Sequence, residues 1–303
     1  MTRYGYTRHG YQRFRCKNCN YTYTFHNHKN KIAKEKVWFV RWITEGYSVR
    51  QLCAQCSHSP FKIKCIIQYW LDKLPVKNND FKTFKHVIFD GTFIHGRKSI
   101  VAVMDDSKHE IFAGEYGVRE NSIPELRQFF NPLIHQGLNP KSATVDGNPQ
   151  VIKLFRELWP EIVIQRCLVH IQRQGLMWCR RFPKRTDAKH LRKLFLKVTY
   201  IYNFKDRDKF LSDVQTWEQR FGCSVVRAPE AGRVFSDVKR ARSMLLKAIP
   251  NMFHYLNDPN IPATTNSLEG YFSRLKSKYR QHRGLSPKRR FNYFKWYFYL
   301  QKR

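Results

Sequence analysis

The stretch from His86 to Cys167 restricts the fold more than any other part of the chain, because strand-like and helix-like segments follow one another there in a fixed order. HVIFDGTF is a short apolar run ending at Asp90, KSIVAVM is a second, and EIFAGEYGV a third. β-Branched and aromatic residues dominate all three, and Asp105-Asp106-Ser107-Lys108 reads as a hairpin turn between the last two. SIPELRQFFNPLIHQG has helical periodicity, with Ser122 at its start and Gly137 at its end. KSATVDG then reads as a fourth strand ending at Asp146, NPQVIKLFRELWP as a second helix and EIVIQRC as a fifth strand. Tight hairpins join antiparallel strands, whereas strands linked through a helix lie parallel.

A three-strand meander continued by βαβ units has the topology of an RNase H-like domain. The expected fold class is therefore α/β, with an RNase H-like mixed sheet whose first part spans residues 84–167. Residues 168–260 read as almost entirely helical, a large all-α insertion. Residues 261–303 return to the core with a C-terminal helix and a basic tail. Upstream, residues 31–75 read as three helices. KIAKEKVWFVRWITEG carries apolar residues at helical spacing up to Gly46, Ser48 caps VRQLCAQC, and Ser59-Pro60 opens FKIKCIIQYWLDKL. Two short helices behind a packing helix fit a helix-turn-helix, with Lys62 and Lys64 near the start of the groove-reading helix. The alternative is a plain helical bundle in which Cys53, Cys56 and Cys65 are small core residues. Residues 76–84 look like a linker. Residues 1–30 alternate Tyr, Phe and Arg as in short strands, and Cys16-x-x-Cys19 falls on the turn between two of them, as in a zinc-ribbon-like remnant. Zinc wants four ligands, and the local candidates for the other two are His26 and His28. A second Cys-x-x-Cys, Cys53 and Cys56, lies in a helical segment. The alternative for Cys16 and Cys19 is a ribbon whose other half lies upstream of Met1.

Charge narrows the partners. Lys and Arg number 56 against 23 Asp and Glu, a formal charge of +33. Such an excess repels itself in a compact state and calls for a polyanion, of which nucleic acid is the obvious one. No Asp or Glu occurs between Tyr271 and Arg303, and Arg274, Lys276, Lys278, Arg280 and Arg283 sweep around a helix there, as a DNA backbone would require. The aromatics of FNYFKWYFYL could stack on bases, but their density favours burial. Eight cysteines in a chain this long are not a secreted disulfide scaffold, and no apolar h-region follows Met1. No apolar run approaches the length of a membrane span. A cytoplasmic, nucleoid-associated protein without a membrane partner is expected.

Phosphodiester chemistry with two hard cations about 4 Å apart needs roughly three carboxylates on rigid elements. Asp90 and Asp146 stand at the ends of two strands that should be neighbours, where they would repel each other without a cation. Each precedes a glycine, Gly91 and Gly147, which would allow a sharp turn and leave room for metal and phosphate. A turn-forming Asp-Gly is the competing explanation. A third acid, Glu269, lies in the first turn of the helix after the insertion. Asn266-x-x-Glu269 is also a capping-box pattern, in which Glu269 would merely satisfy a backbone N–H.

FDGTFI, TVDGNPQVI, FRELWPEIVIQRCLVHIQR and TTNSLEGYFSRLK, taken in this order, resemble the Mutator-like transposases and their bacterial insertion-sequence relatives over roughly residues 85–285. The most specific piece is the Cys-x-x-His signature, Cys167-Leu168-Val169-His170. The resemblance implies a DDE transposase with Asp90, Asp146 and Glu269 as its metal-binding triad and Cys167 and His170 as the signature pair. It implies Mg²⁺ (or Mn²⁺), DNA partners in the form of terminal inverted repeats and target DNA, and a homodimer on DNA. It also implies a Trp in the insertion, for which Trp178 and Trp217 are both available. A metal-dependent structure-specific nuclease and a non-catalytic DNA-binding relative are the alternatives.

Overall fold

Backbone pairing in the core sheet follows from the two kinds of connection foreseen. The computed structural model describes residues 1–8, 10–24, 28–75, 80–95, 98–227 and 233–301. It divides into two units, Met1–Lys73 and Leu74–Arg303.

In the first unit, β1 (Thr2–Tyr6), β2 (Gln12–Arg15) and β3 (Thr22–Thr24) form an antiparallel sheet in that order. Cys16 and Cys19 sit on the turn between β2 and β3, which is closed by Cys16 N–H to Tyr21 O at 2.9 Å and Asn20 N–H to Cys16 O at 3.0 Å. Three helices follow: α1 (His28–Thr44), α2 (Val49–Gln55) and α3 (Pro60–Leu71). Ser48 and Gln51 form a reciprocal capping box on α2, and Ser59 with Pro60 starts α3. Phe39, Trp42 and Ile43 of α1 pack with Leu52 of α2 and with Ile63, Ile66, Ile67 and Leu71 of α3, all of them buried. Cys53, Cys56 and Cys65 are half-buried.

In the second unit the strands are β4 (His86–His95), β5 (Lys98–Asp105), β6 (Glu110–Tyr116), β7 (Ser142–Val145) and β8 (Val163–Arg166). Helix α4 (Ile123–His135) links β6 to β7, and α5 (Pro149–Leu158) links β7 to β8. The sheet order is β6-β5-β4-β7-β8. The first three strands are antiparallel, and β4–β7 and β7–β8 are parallel. Rings of Phe89, Phe130, Phe155 and Trp159 cluster between the sheet and α4 and α5, with centroids 5.1–5.7 Å apart.

Two expectations change here. Strand β4 does not end at Asp90. It runs on to His95 because β5 continues to pair with it, Asp90 opposite Ala102 and Gly91 opposite Val101. Gly91 is therefore not a turn, whereas Gly147 is, with φ +102°. Part of the expected linker also belongs to the core: Phe81 and Phe84 are buried with the sheet's apolar cluster. Residues 76–79 of that linker lie outside the described residues.

After β8 the chain is helical: α6 (Leu168–Cys179), α7 (Thr186–Lys197), α8 (Phe204–Trp217), a π-turn at Glu218–Gly222, α9 (Cys223–Arg227), α10 (Arg233–Ala248) and α11 (His254–Asn257). These helices share an apolar core of their own, which includes Leu191, Phe195, Phe210, Trp217 and Leu245. Helix α12 (Asn266–Tyr279) and α13 (Pro287–Leu300) complete the unit. Helix α13 lies on β6, with Phe294 stacked on Tyr116 at 4.8 Å and the Phe298 ring over Gly114, where a Cβ would come within 2.6 Å of it. Tyr293, Phe294, Trp296, Tyr297 and Phe298 are buried, so the aromatic tail serves packing rather than base stacking. Among the described residues, no helix is long and apolar enough to cross a membrane.

Candidate active site

Of the two acids foreseen at strand ends, Asp90 lies on the central strand of the sheet within a group of ligating side chains, and Asp146 lies beside it. Ile88 of β4 pairs with Thr144 of β7. Two residues further on stand Asp90, still within β4, and Asp146, one residue past the end of β7. Helix α6 brings His170, and the first turn of α12 brings Glu269. Ligand atoms of Asp90, His170 and Glu269 all lie within 4.8 Å of one another. His170 Nε2 is 3.4 Å from Glu269 Oε1, and Arg173, one turn further on, donates from Nη1 and Nη2 to the two Glu269 oxygens at 3.3 and 3.2 Å. Lys276 reaches into the same cleft of about 250 Å³ and donates to Thr92 Oγ1. No side-chain cap bond forms at the start of α12, so Glu269 is held by cations and not as half of a capping box.

Asp146 stands beside this group rather than in it. Its Oδ1 accepts the Asn148 N–H at 2.8 Å, which shapes the turn into α5. Its charge still reaches Asp90.

A fourth carboxylate, Glu120, was missed in the sequence. It lies in the loop between β6 and α4, where neither periodicity nor motif singles it out. Its Oε1 is buried without a hydrogen-bond partner and lies against Gly91, where a Cβ would be only 1.7 Å away. The lack of a side chain at Gly91 thus makes room for Glu120, not for a turn. The Glu120 carbonyl accepts from Asn148 Nδ2 at 3.3 Å, tying this loop to the Asp146 turn.

Cys167 and His170 have separate tasks. The Cys167 thiol accepts from the Thr265 N–H at 3.3 Å and from Thr265 Oγ1 at 3.5 Å, and Thr265 Oγ1 is 3.4 Å from His170 Nδ1. Leu168 N–H also donates to Ala263 O at 3.1 Å. The start of α6 is thereby tied to the start of α12, and the imidazole is turned so that its other nitrogen faces Glu269.

Burial drives the electrostatics. Desolvation, with repulsion from Asp146 and Glu269, pushes the Asp90 carboxyl up to about 7 against the pull of His170 and the Gly91 N–H. Desolvation, with Asp146 and Asp90 nearby, pushes Glu120 up to about 8. His170 rises to about 9, chiefly through its hydrogen bond with Cys167 and then through the charges of Cys167, Asp90 and Glu269, which together outweigh its burial. Burial raises the Cys167 thiol, but hydrogen bonds from His170 and Thr265 bring it below its usual range. Crowded oxygen donors, one of them orphaned, suit a hard divalent cation such as Mg²⁺ or Mn²⁺.

The raised carboxyls of Asp90 and Glu120 make the metal-free fold bind protons that the unfolded chain has lost, so stability falls as pH climbs from about 4 towards about 8. The raised imidazole of His170 adds stability that is full below its unfolded value and is lost as pH rises through about 9. The thiol of Cys167 works the opposite way, as does the imidazole of His254 outside the site, which burial holds below its usual range. Metal-free Tm should therefore drop between about pH 5.5 and 7.5, and the Tm gain on adding Mn²⁺ should be larger at the upper pH. Thermal melts with and without Mn²⁺ check both.

The other residues singled out in the sequence are dispersed. Lys62 is paired with Glu35 at 2.9 Å, while Lys64 is exposed. Arg274, Arg280 and Arg283 are exposed, and Lys278 is half-buried. Trp217 is a core residue that donates to Asp187 O at 3.0 Å, whereas Trp178 lines a cavity beside Gly147. Among the described residues, no His, Cys, Asp or Glu joins Cys16 and Cys19 in a group of three. The side chains of His26 and His28 lie outside the described residues.

No curated protein matches the chain. The model of the family described as transposase, Mutator family, matches residues 82–289, which take in Asp90, Glu120, Asp146, the Cys167–His170 pair and Glu269. With two thirds of its length matched, from the start of the core sheet to the start of the last helix, the chain belongs to the Mutator family of transposases.

Proposed function

We propose that this transposase is a DDE enzyme that cuts DNA at the ends of an insertion sequence and joins the freed 3′ ends to target DNA, with Asp90, Asp146 and Glu269 as its catalytic carboxylates. The observation that carries this is the convergence of Asp90 with Glu269 and His170, with Asp146 just past the end of the adjoining parallel strand. The sheet order, three antiparallel strands continued by two parallel ones, supports an RNase H-like core, and helices α6–α11 correspond to its all-α insertion.

Asp90, Asp146 and Glu269 would hold Mg²⁺ or Mn²⁺, with Glu120 as a fourth carboxylate. When bound, the metal supplies the charge stabilisation that an in-line phosphoryl displacement needs. The chain's own residues do the rest. Arg173 and Lys276 offer cations to the scissile strand, and His170 holds Glu269 in place. Arg274, Lys278, Arg280 and Arg283 continue the positive track along α12 and beyond it.

The capped turn between α2 and α3 supports a helix-turn-helix that reads the inverted repeats through the exposed side of α3, including Lys64. Cys16 and Cys19 fit half of a zinc knuckle. A homodimer would bring two ends together, and such a protein would work at the nucleoid.

The purified protein, given DNA with the element's ends and Mg²⁺ or Mn²⁺, should nick at those ends and join them to a target plasmid. Cutting without joining would instead identify a structure-specific nuclease. Binding without either would identify a non-catalytic relative.

A further inference from the structure

Next to Asp146 the second unit opens a cavity of about 760 Å³, separate from the carboxylate cleft and within the size range of ligand sites. Lys153 and Arg156 of α5, Arg166 at the end of β8, and Arg240 and Lys247 of α10 line it. The one acid in its wall, Glu157, is already paired with Arg127 at 2.6 Å and lies 4.0 Å from Lys153. Arg156, Arg240 and Lys247 form no ion pair among the described residues. Concave walls carrying one sign of charge concentrate the field and favour an anion.

Arg166 adds a second, independent pointer. Its guanidinium fills the space over Gly147, where a Cβ would lie 1.9 Å from Nη2, and Nη2 donates to the Asp146 carbonyl at 3.4 Å. Its Nε is buried with no hydrogen-bond partner. Arg166 is half-buried and the Asp146 carboxylate lies close enough to favour its charge, but the buried Nε still lacks an acceptor that a phosphate oxygen would supply. Apolar surface from Ile152, Trp178 and Met244 lies between the cations, which suits a chain of sugars and phosphates better than a free inorganic ion.

We propose that this cavity binds the sugar-phosphate backbone of a DNA strand as it runs away from the carboxylates past Asp146, a role that rests on the assignment of Asp146 to the reaction site. Cations on α5, β8 and α10 would then meet successive phosphates, and Arg166 would join the cavity to the Asp146 turn.

The test compares the double variant Arg240→Glu/Lys247→Glu with Lys205→Glu/Lys209→Glu, which makes the same charge change on exposed positions of α8. Binding of a fluorescein-labelled oligothymidine of about 20 nucleotides is followed by anisotropy in Ca²⁺, over a salt series. The cavity variant should bind at least about tenfold more weakly and lose at least about 1.4 from the slope of log K against log salt, the share of two single-strand phosphate contacts. The α8 variant should change affinity by less than about twofold. Equal losses in the two variants, or an unchanged slope, would overturn the proposal. If the charge reversal prevents folding, as judged by thermal melts, Arg240→Gln/Lys247→Gln should show the same ranking, and its failure to do so counts equally. Asp146→Asn should keep oligothymidine binding and lose Mn²⁺-dependent plasmid nicking. Nicking that survives Asp146→Asn would overturn the role of Asp146, while the anisotropy comparison still decides whether the cavity takes a strand.

Discussion

Replacing Asp90 with Asn should reduce DNA cutting by at least about a thousandfold while raising the Tm of the metal-free protein. The side chain is nearly isosteric, and its oxygen can still accept the Gly91 N–H that Asp90 accepts at 2.8 Å. What disappears is a negative charge that burial disfavours, with Asp146 and Glu269 adding repulsion, by more than the attraction of His170 and the Gly91 N–H offsets. The fold therefore gains what the chemistry loses. Glu269→Gln should abolish cutting as fully but shift the metal-free Tm the other way, because it breaks the paired hydrogen bonds with Arg173 and the contact with His170. Single-turnover nicking of a plasmid in Mn²⁺, set beside thermal melts without metal, reads both quantities. If Asp90→Asn keeps a tenth of the activity, or if the two variants shift Tm in the same direction, the division of roles between these carboxylates is wrong.

Glu120→Gln should weaken metal affinity by about 10- to 100-fold, the range found when groups supporting a metal site are changed. The loss would appear as a higher Mn²⁺ concentration for half-maximal nicking, with activity recovering as Mn²⁺ is raised. The metal-free protein should at the same time melt later, because a carboxyl disfavoured in its charged form by burial, and then by Asp146 and Asp90, has become a neutral amide. Gly91→Ala reaches the same group from the other side: the new methyl would stand 1.7 Å from Glu120 Oε1 and push that carboxylate away. Both variants should raise the Mn²⁺ requirement. An unchanged requirement in both would leave Glu120 as a buried loop acid with no part in the site.

Asp90 and Glu120 differ in how legible they are in the sequence. The strands and helices between His86 and Arg166 were legible because β-branched runs and amphipathic runs alternate there with clear punctuation. Asp90 and Asp146 stood out as acids at the ends of apolar strands. The extent of β4 was not legible, since Asp90-Gly91 has the form of a turn and only pairing with Val101 and Ala102 of β5 keeps it extended. Phe81 and Phe84 sat in a polar stretch and were read as linker, although their rings close one side of the sheet's core. Glu120 was invisible for a different reason. Its place depends on a glycine 29 positions earlier and an asparagine 28 positions later, and no local pattern encodes either contact. The Cys-x-x-His pair was recognised by family likeness, but its bond to Thr265 spans 98 residues. Glu269 could be read as a helix cap until the fold set it between Arg173 and His170.

The bond between Cys167 and Thr265 makes the helical block a module with a single doorway. The chain enters that block at Leu168 and leaves it at Ala263, and the N–H of one donates to the carbonyl of the other. Entrance and exit are thus stitched together next to the carboxylates, and the position of Glu269 is set at the stitch and by His170 and Arg173 of α6, the first helix of the block, rather than by the helices beyond it. Chain added inside such a closed loop costs little, about 0.6 kcal/mol for each doubling of its length. The helices beyond α6 can therefore lengthen, shorten or be exchanged for others that present different cations to DNA, while the cutting chemistry stays in register.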